Sequence, residues 1–168
     1  MTSVANCEVT GLFLEFSDRK LVEQTKKLMT CVEKLSEEQV WARGGAHENS
    51  AGNLMLHLCG NMRQWIMHGV GGKPDVRTRD AEFSADREMT KAELMALFTT
   101  TVEEARGVIA SLPHARLSET IHPQGRETSV LGAIYQVVGH VQEHVGQVIL
   151  LTKQMVGTDL DLTIPRKR

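Results

Sequence analysis

The sequence predicts an all-α protein built as a four-helix bundle. Three observations carry that prediction. Four long segments repeat apolar residues at three-to-four spacing, capping residues open three of them, and glycine or proline closes the second and third.

The first segment runs from about Val9 to Leu35 through Leu12, Phe13, Phe16, Leu21, Leu28, Met29 and Val32. Ser36-Glu37-Glu38-Gln39 then has the form of a capping box, opening a short turn that carries Trp41 and ends at Gly44-Gly45. The second segment starts near Asn49 or Ser50, both good caps, and continues through Leu54, Met55, Leu58, Met62, Trp65 and Ile66. Gly69, Gly71, Gly72 and Pro74 stop it. The third opens on another capping box, Thr90-Lys91-Ala92-Glu93. It carries Leu94, Met95, Phe98, Val102, Ala105, Val108, Ile109 and Leu112 up to Pro113. The fourth follows Thr128 or Ser129, with Val130, Ile134, Val137, Val141, Val145, Val148, Ile149 and Met155 as its stripe. Each stripe has to be buried against another, and a bundle is the economical way to do so.

Two connections are long. The Gly69–Met89 link exceeds an ordinary helix-to-helix turn and can span the bundle. Its interleaved charges, Asp75 to Glu82, suit an ordered crossing anchored by Phe83. The Pro113–Thr128 link holds a small extended turn around Pro123-Gln124-Gly125. There is no internal repeat, so one domain is expected over 1–168, with a frayed basic tail at 163–168.

Composition narrows the function classes. The 168 residues are 41% hydrophobic, enough for one core, and 19 Lys plus Arg nearly cancel 21 Asp plus Glu. No basic field gathers nucleic acid or an anionic membrane surface, and no run approaches the roughly 20 apolar residues of a membrane span. The start of the chain lacks the pattern of a signal peptide. Cys7, Cys31 and Cys59 are odd in number without a C-x-x-C pair, which suits a reducing, cytoplasmic compartment. Cys59 follows His57 too closely to share its helix face, so it reads as a small buried hydrophobe.

The chemistry concentrates in three histidines. His140-Val141-Gln142-Glu143-His144 stacks two imidazoles one turn apart on one helix face, at the edge of the fourth stripe. His57 lies near the inward side of the second helix, beside Leu54, Leu58 and Asn61, and is the natural third ligand for a shared divalent ion. Spacing alone leaves a competing reading, in which these histidines are only hydrogen-bonded to their neighbours. Glu143 adjoins the second histidine of the pair, not the first, so the metalloprotease pattern is absent and Glu143 should meet solvent or another helix. His47, His68, His114 and His122 lack partner spacing and suit surface or loop roles.

Three stretches resemble the DinB-like superfamily of metal-binding helical bundles: His140 to Val148, Asn49 to Asn61, and Arg77 to Phe83. The last of these is similar to one subgroup of that superfamily. The resemblance covers nearly the whole chain. It implies an up-down-down-up bundle and maps the family's ligands onto His57, His140 and His144. It further implies nickel, zinc or another divalent ion (manganese or iron among them), a homodimer, and a small-molecule substrate such as a low-molecular-weight thiol.

Three imidazoles leave coordination positions open, the arrangement of a catalytic rather than a structural zinc. Hydrolysis and thiol transfer both fit, and a non-catalytic metal-binding role is the alternative. Asn61, one turn beyond His57, and Gln147, near His144, are the candidate groups for orienting a ligand ring or a bound molecule, and Asn53 is a third. Trp65 suits the core or a pocket wall. Arg77 and Arg79 either hold a substrate carboxylate or pair with Asp80 and Glu82 to pin the crossing. The interleaved signs favour pairing.

Overall fold

A computed structural model describes residues 2–162, with side chains from residue 8 onward. The Cys7 side chain and the tail expected to fray at 163–168 lie outside the described residues. Six α-helices occur among them: α1 (Thr2–Glu33), α2 (Glu37–Trp41), α3 (Ala51–Met62), α4 (Arg79–Ser84), α5 (Lys91–Ala110) and α6 (Val130–Val156). The four long ones, α1, α3, α5 and α6, are the bundle.

The local signals act as physical chemistry dictates. Ser36, Ser50 and Thr90 each accept a hydrogen bond from the third residue of the following helix, whose side chain in turn bonds the cap's own N–H. Ser129 caps α6, and Gly157, left-handed at φ 66°, ends it. α3 continues into π-helical turns over Arg63–Val70, a local widening that sequence periodicity does not reveal.

The side chains fix the helix directions. Arg106 of α5 pairs with Asp18 of α1, and Lys91 at the other end of α5 reaches the Leu35 carbonyl, so these helices are antiparallel. α3 meets α6 at His57 and His140, while Gly69 beyond it lies beside Pro123, which precedes α6. α3 and α6 are therefore antiparallel too. Cys31 near the end of α1 hydrogen-bonds Thr152 near the end of α6, so those two run parallel and the order is up-down-down-up. Leu21, Leu28, Leu54, Met55, Leu58, Ile66, Phe98, Ile109, Ile134 and Val141 form the sealed centre of the core.

Three expectations need correction. Between Glu8 and Phe16 the stripe of α1 is only partly covered: Val9, Leu12 and Phe16 are exposed at 64%, 47% and 54%, Phe13 packs half-buried against the core, and full burial of the stripe starts at Leu21. The crossing between the second and third long helices is ordered, but its buried anchor is Glu82, whereas Phe83 is only half-buried. Asn53 does not reach His57. It closes the α3 capping box, and its Nδ2 donates to the carbonyls of Glu82 and Ala85 at 3.0 and 2.9 Å, tying the crossing to the start of α3.

The other long link forms a small hairpin of β1 (Thr120–Ile121) and β2 (Thr128–Ser129), antiparallel, with Thr120 opposite Ser129. Its loop turns through Gln124 and Gly125, both at positive φ. The extended turn expected around Pro123 is the tip of this hairpin.

Candidate metal centre

His57 comes from the middle of α3, and His140 and His144 from successive turns of α6. Their candidate ligand atoms all lie within 4.8 Å of one another. His57 Nε2 and His140 Nε2 are 2.9 Å apart, and the three rings meet edge to face. Metal–nitrogen bonds of about 2.0–2.1 Å, at angles of about 90–110°, hold two imidazole nitrogens roughly 2.9–3.4 Å apart. The His57–His140 pair meets that requirement, and His144 offers its ligand atom within 4.8 Å of both. The donor set fits a divalent ion.

Charge state agrees with that use. Burial, reinforced by the positive charge His144 and His57 would carry, pushes His140 down to about 4. Burial lowers His144 as well, against the Gln147 hydrogen bond that raises it. Both rings are therefore neutral near pH 7, the form in which imidazole binds a metal.

Two of the rings, His57 and His144, are held from behind. Glu82 Oε2 lies 3.0 Å from His57 Nδ1, inside the protein. Burial alone would raise the Glu82 carboxyl, but hydrogen bonds from Arg77 and His57 outweigh it and hold the group below the usual range. Arg77 Nη2 also lies 3.1 Å from Nδ1, yet it is a donor already committed to Glu82 Oε2 at 2.8 Å. We therefore assign the Nδ1 proton to the Glu82 bond, which leaves the Nε2 lone pair facing the other two rings. Gln147 Oε1 does the same for His144, 2.8 Å from its Nδ1. Glu143 is mostly exposed, as its position predicts, with Oε2 3.8 Å from His140 Nδ1. The carboxylate–histidine pair is the arrangement that fixes ring orientation and raises ligand basicity at metal sites.

Behind Glu82 the chain of contacts continues. Arg77 donates Nε to Glu82 Oε1 at 2.7 Å and Nη1 to Gln64 Oε1 at 3.0 Å, and Gln64 Nε2 reaches Asp75 Oδ2 at 2.7 Å. The Arg77 side chain is 2% exposed. Gly60 makes this possible, because a Cβ there would overlap the Glu82 carboxylate.

Beside His57 and His140 lies an open cavity of about 580 Å³, lined further by Asn61, Trp65, Arg77, Arg79, Gln124, Arg126 and Gln136. Asn61 Oδ1 and Trp65 Nε1 are buried without a protein hydrogen-bond partner.

A family model described as "Protein of unknown function (DUF1572)" matches residues 8–168. The chain belongs to the DUF1572 family. No curated protein matches its sequence. Solved structures match its fold: a DinB-like protein, YjoA, of Bacillus subtilis is 17% identical, with 90% of this chain and 98% of that one aligned at a TM-score of 0.67. A DinB-like protein of Bacillus cereus is 14% identical over 87% and 94% of the two chains, and a conserved protein of Enterococcus faecalis is 12% identical over 86% and 97%; both have a TM-score of 0.69. The fold is DinB-like.

In this DUF1572 chain the structure brings together the three histidines that the sequence singled out, and places Asn61 in the cavity before them. Gln147 is not in that cavity. It lies behind His144 and borders a separate cleft with Leu54 and Leu151. Trp65 is a buried cavity wall. Arg77 pairs with Glu82, as the interleaved charges suggested, whereas Arg79 stacks over Phe83 at 4.9 Å and borders the cavity. Cys59 is buried and its thiol is pushed up to about 12, so it is a packing residue.

Sequence reasoning missed the second oxygen of Glu82. Its pairing with Arg77 is local and visible, but its bond to His57 spans a fold-dependent approach of the crossing to α3. It also missed Gln124, Arg126 and Gln136. The turn signal at Pro123-Gln124-Gly125 was present, but nothing in it says which helix the hairpin leans over.

Proposed function

We propose that this protein is a divalent-metal-dependent enzyme acting on a small molecule, as a hydrolase or a low-molecular-weight thiol transferase, in the cytoplasm. The observation that carries the reading is the open polar cavity bordered by His57 and His140, two of three converging imidazoles. A purely structural metal site is usually closed by four protein ligands. An ion held by His57, His140 and His144 supplies Lewis acidity, which makes a nucleophile available near neutral pH from water or from a thiol. Zinc and nickel suit three imidazole donors best, with manganese and iron as further candidates.

The chain's own groups divide the remaining work. Glu82 and Gln147 hold the His57 and His144 rings, so Gln147 is a positioning residue. Asn61, in the cavity one turn beyond His57, is placed to contact the substrate. The walls of the cavity exclude bulk solvent on the core side. A homodimer belongs to the same reading and is supported by exposed apolar side chains on α1 and α6, Leu12, Phe16, Leu131 and Tyr135. Sedimentation at micromolar concentration tests it.

The metal assignment is tested by elemental analysis and titration of untagged protein. Wild type is expected to take up one ion per chain and His140→Ala to lose stoichiometric binding. Unchanged affinity in the variant would reject the ligand assignment. Turnover then separates hydrolysis from thiol transfer, by assaying metal-loaded protein against ester or amide substrates with and without an added thiol.

A further inference from the structure

The cavity before the triad has a charge pattern that the metal site does not require. Its floor is α3 and the π-helical turns, with His57, Asn61 and Trp65; one wall is the crossing, with Arg77 and Arg79. The opposite side is the hairpin loop and the first turns of α6, with Gln124, Arg126, Gln136 and His140. No carboxylate lines it. Arg77 is committed to Glu82 and Gln64. The other two guanidinium groups are available. Arg79 has only its stack on Phe83, and Arg126 has no side-chain hydrogen bond or ion pair among the described residues. Glu127, the acid next to Arg126, lies toward His122 at 3.6 Å.

Two buried polar groups point the same way. Trp65 is 6% exposed, and its Nε1–H, a donor with no acceptor capacity, has no protein partner. Asn61 is 6% exposed, and its Oδ1 is likewise unpartnered; since amide oxygen and nitrogen exchange by a flip, it offers either an acceptor or a donor. Buried polar groups of this kind call for a partner, and both side chains border the cavity.

We propose that the cavity binds a small oxyanion-bearing molecule, its carboxylate or phosphate group held between Arg79 and Arg126 and the rest of it reaching the metal-binding rings past Asn61 and Trp65. This deepens, and rests on, the reading of the triad as the reactive centre. Guanidinium forks match carboxylate and phosphate geometry with paired, charge-assisted hydrogen bonds, and they do so best where no acid competes. Gln124 and Gln136 add neutral donors and acceptors at the rim. The cavity volume suits a metabolite-sized ligand rather than a polymer.

Calorimetric titration of the full-length protein, zinc-loaded and metal-free, with succinate, inorganic phosphate and the uncharged succinamide tests this. Succinate or phosphate is expected to bind at least tenfold more tightly than succinamide, and which of the two binds better identifies the preferred group. The double variant R79A/R126A is expected to weaken that binding tenfold or more, with zinc stoichiometry still one per chain. R126A alone, on an exposed loop outside the core, is the second variant, with a smaller loss expected at an unchanged melting temperature. Equal affinity for succinamide, no oxyanion binding in either metal state, or undiminished binding by R79A/R126A would overturn the proposal. Failure of wild type to take up zinc, with arginine-dependent oxyanion binding retained, would sink the metal reading alone.

Discussion

At the scale of single residues, the candidate site is a layered set of contacts in which Glu82 does the most. It accepts from Arg77 and from His57 while being itself almost out of solvent. Losing it removes the orienting bond of one ligand ring, and orienting partners of this kind are worth about 10–100-fold in metal affinity. Glu82→Gln is expected to weaken zinc binding by that order in a chelator competition. Gly60→Ala should do the same without touching a polar group, because the added methyl displaces the Glu82 carboxylate. Wild-type affinity in both would show that Glu82 does not orient the site. The histidines themselves set a pH dependence. His140 titrates at about 4 in the folded metal-free chain, against 6.5 ordinarily. Between those values the unfolded chain holds a proton at His140 that the folded chain does not, so this group leaves stability undiminished above about pH 6.5 and lowers it as pH falls toward 4. The urea midpoint of metal-free protein should therefore drop from pH 7 to pH 4.5, and His140→Gln should flatten part of that slope.

At the scale of elements, the start of α3 is tied to a segment far along the chain. Asn53 serves its own helix as a capping-box member and holds two carbonyls of the crossing with one amide. Buried hydrogen bonds that lose one partner cost about 1–3 kcal/mol. Asn53→Ala is expected to lower stability by about that much, and to speed amide exchange through α4 more than through α5 or α6. Uniform exchange across all three would argue against a role in holding the crossing. α1 makes the opposite point. Its sequence periodicity is continuous, yet Val9, Leu12 and Phe16 stay exposed and only its later turns are fully covered. Leu28→Ala should cost about 2–5 kcal/mol as a core truncation, while Leu12→Ser should change the denaturation midpoint by no more than about 0.5 kcal/mol equivalent in the monomer. A loss at Leu12 comparable to that at Leu28 would mean that its face is covered.

At the scale of the whole molecule, the bundle order is what assembles the site. With α3 and α6 antiparallel neighbours, residues 83 positions apart in sequence place their Nε2 atoms 2.9 Å apart. The two long connections, which also give Ala85 and Leu117 to the core, then become walls beside the rings. The crossing supplies Glu82, Arg77 and Arg79, and the hairpin supplies Gln124 and Arg126. The fold class, the four long helices, most of their caps and the three histidines were legible in the sequence, because helix periodicity, capping patterns and one-turn histidine spacing are local properties written within a few residues. Which turns of α1 are covered, where α3 widens, how Glu82 reaches His57 and which arginine stays free were decided only by tertiary structure. Those outcomes depend on the approach of segments that share no local signal, and a side chain's partner is set by distance in space rather than by separation along the chain.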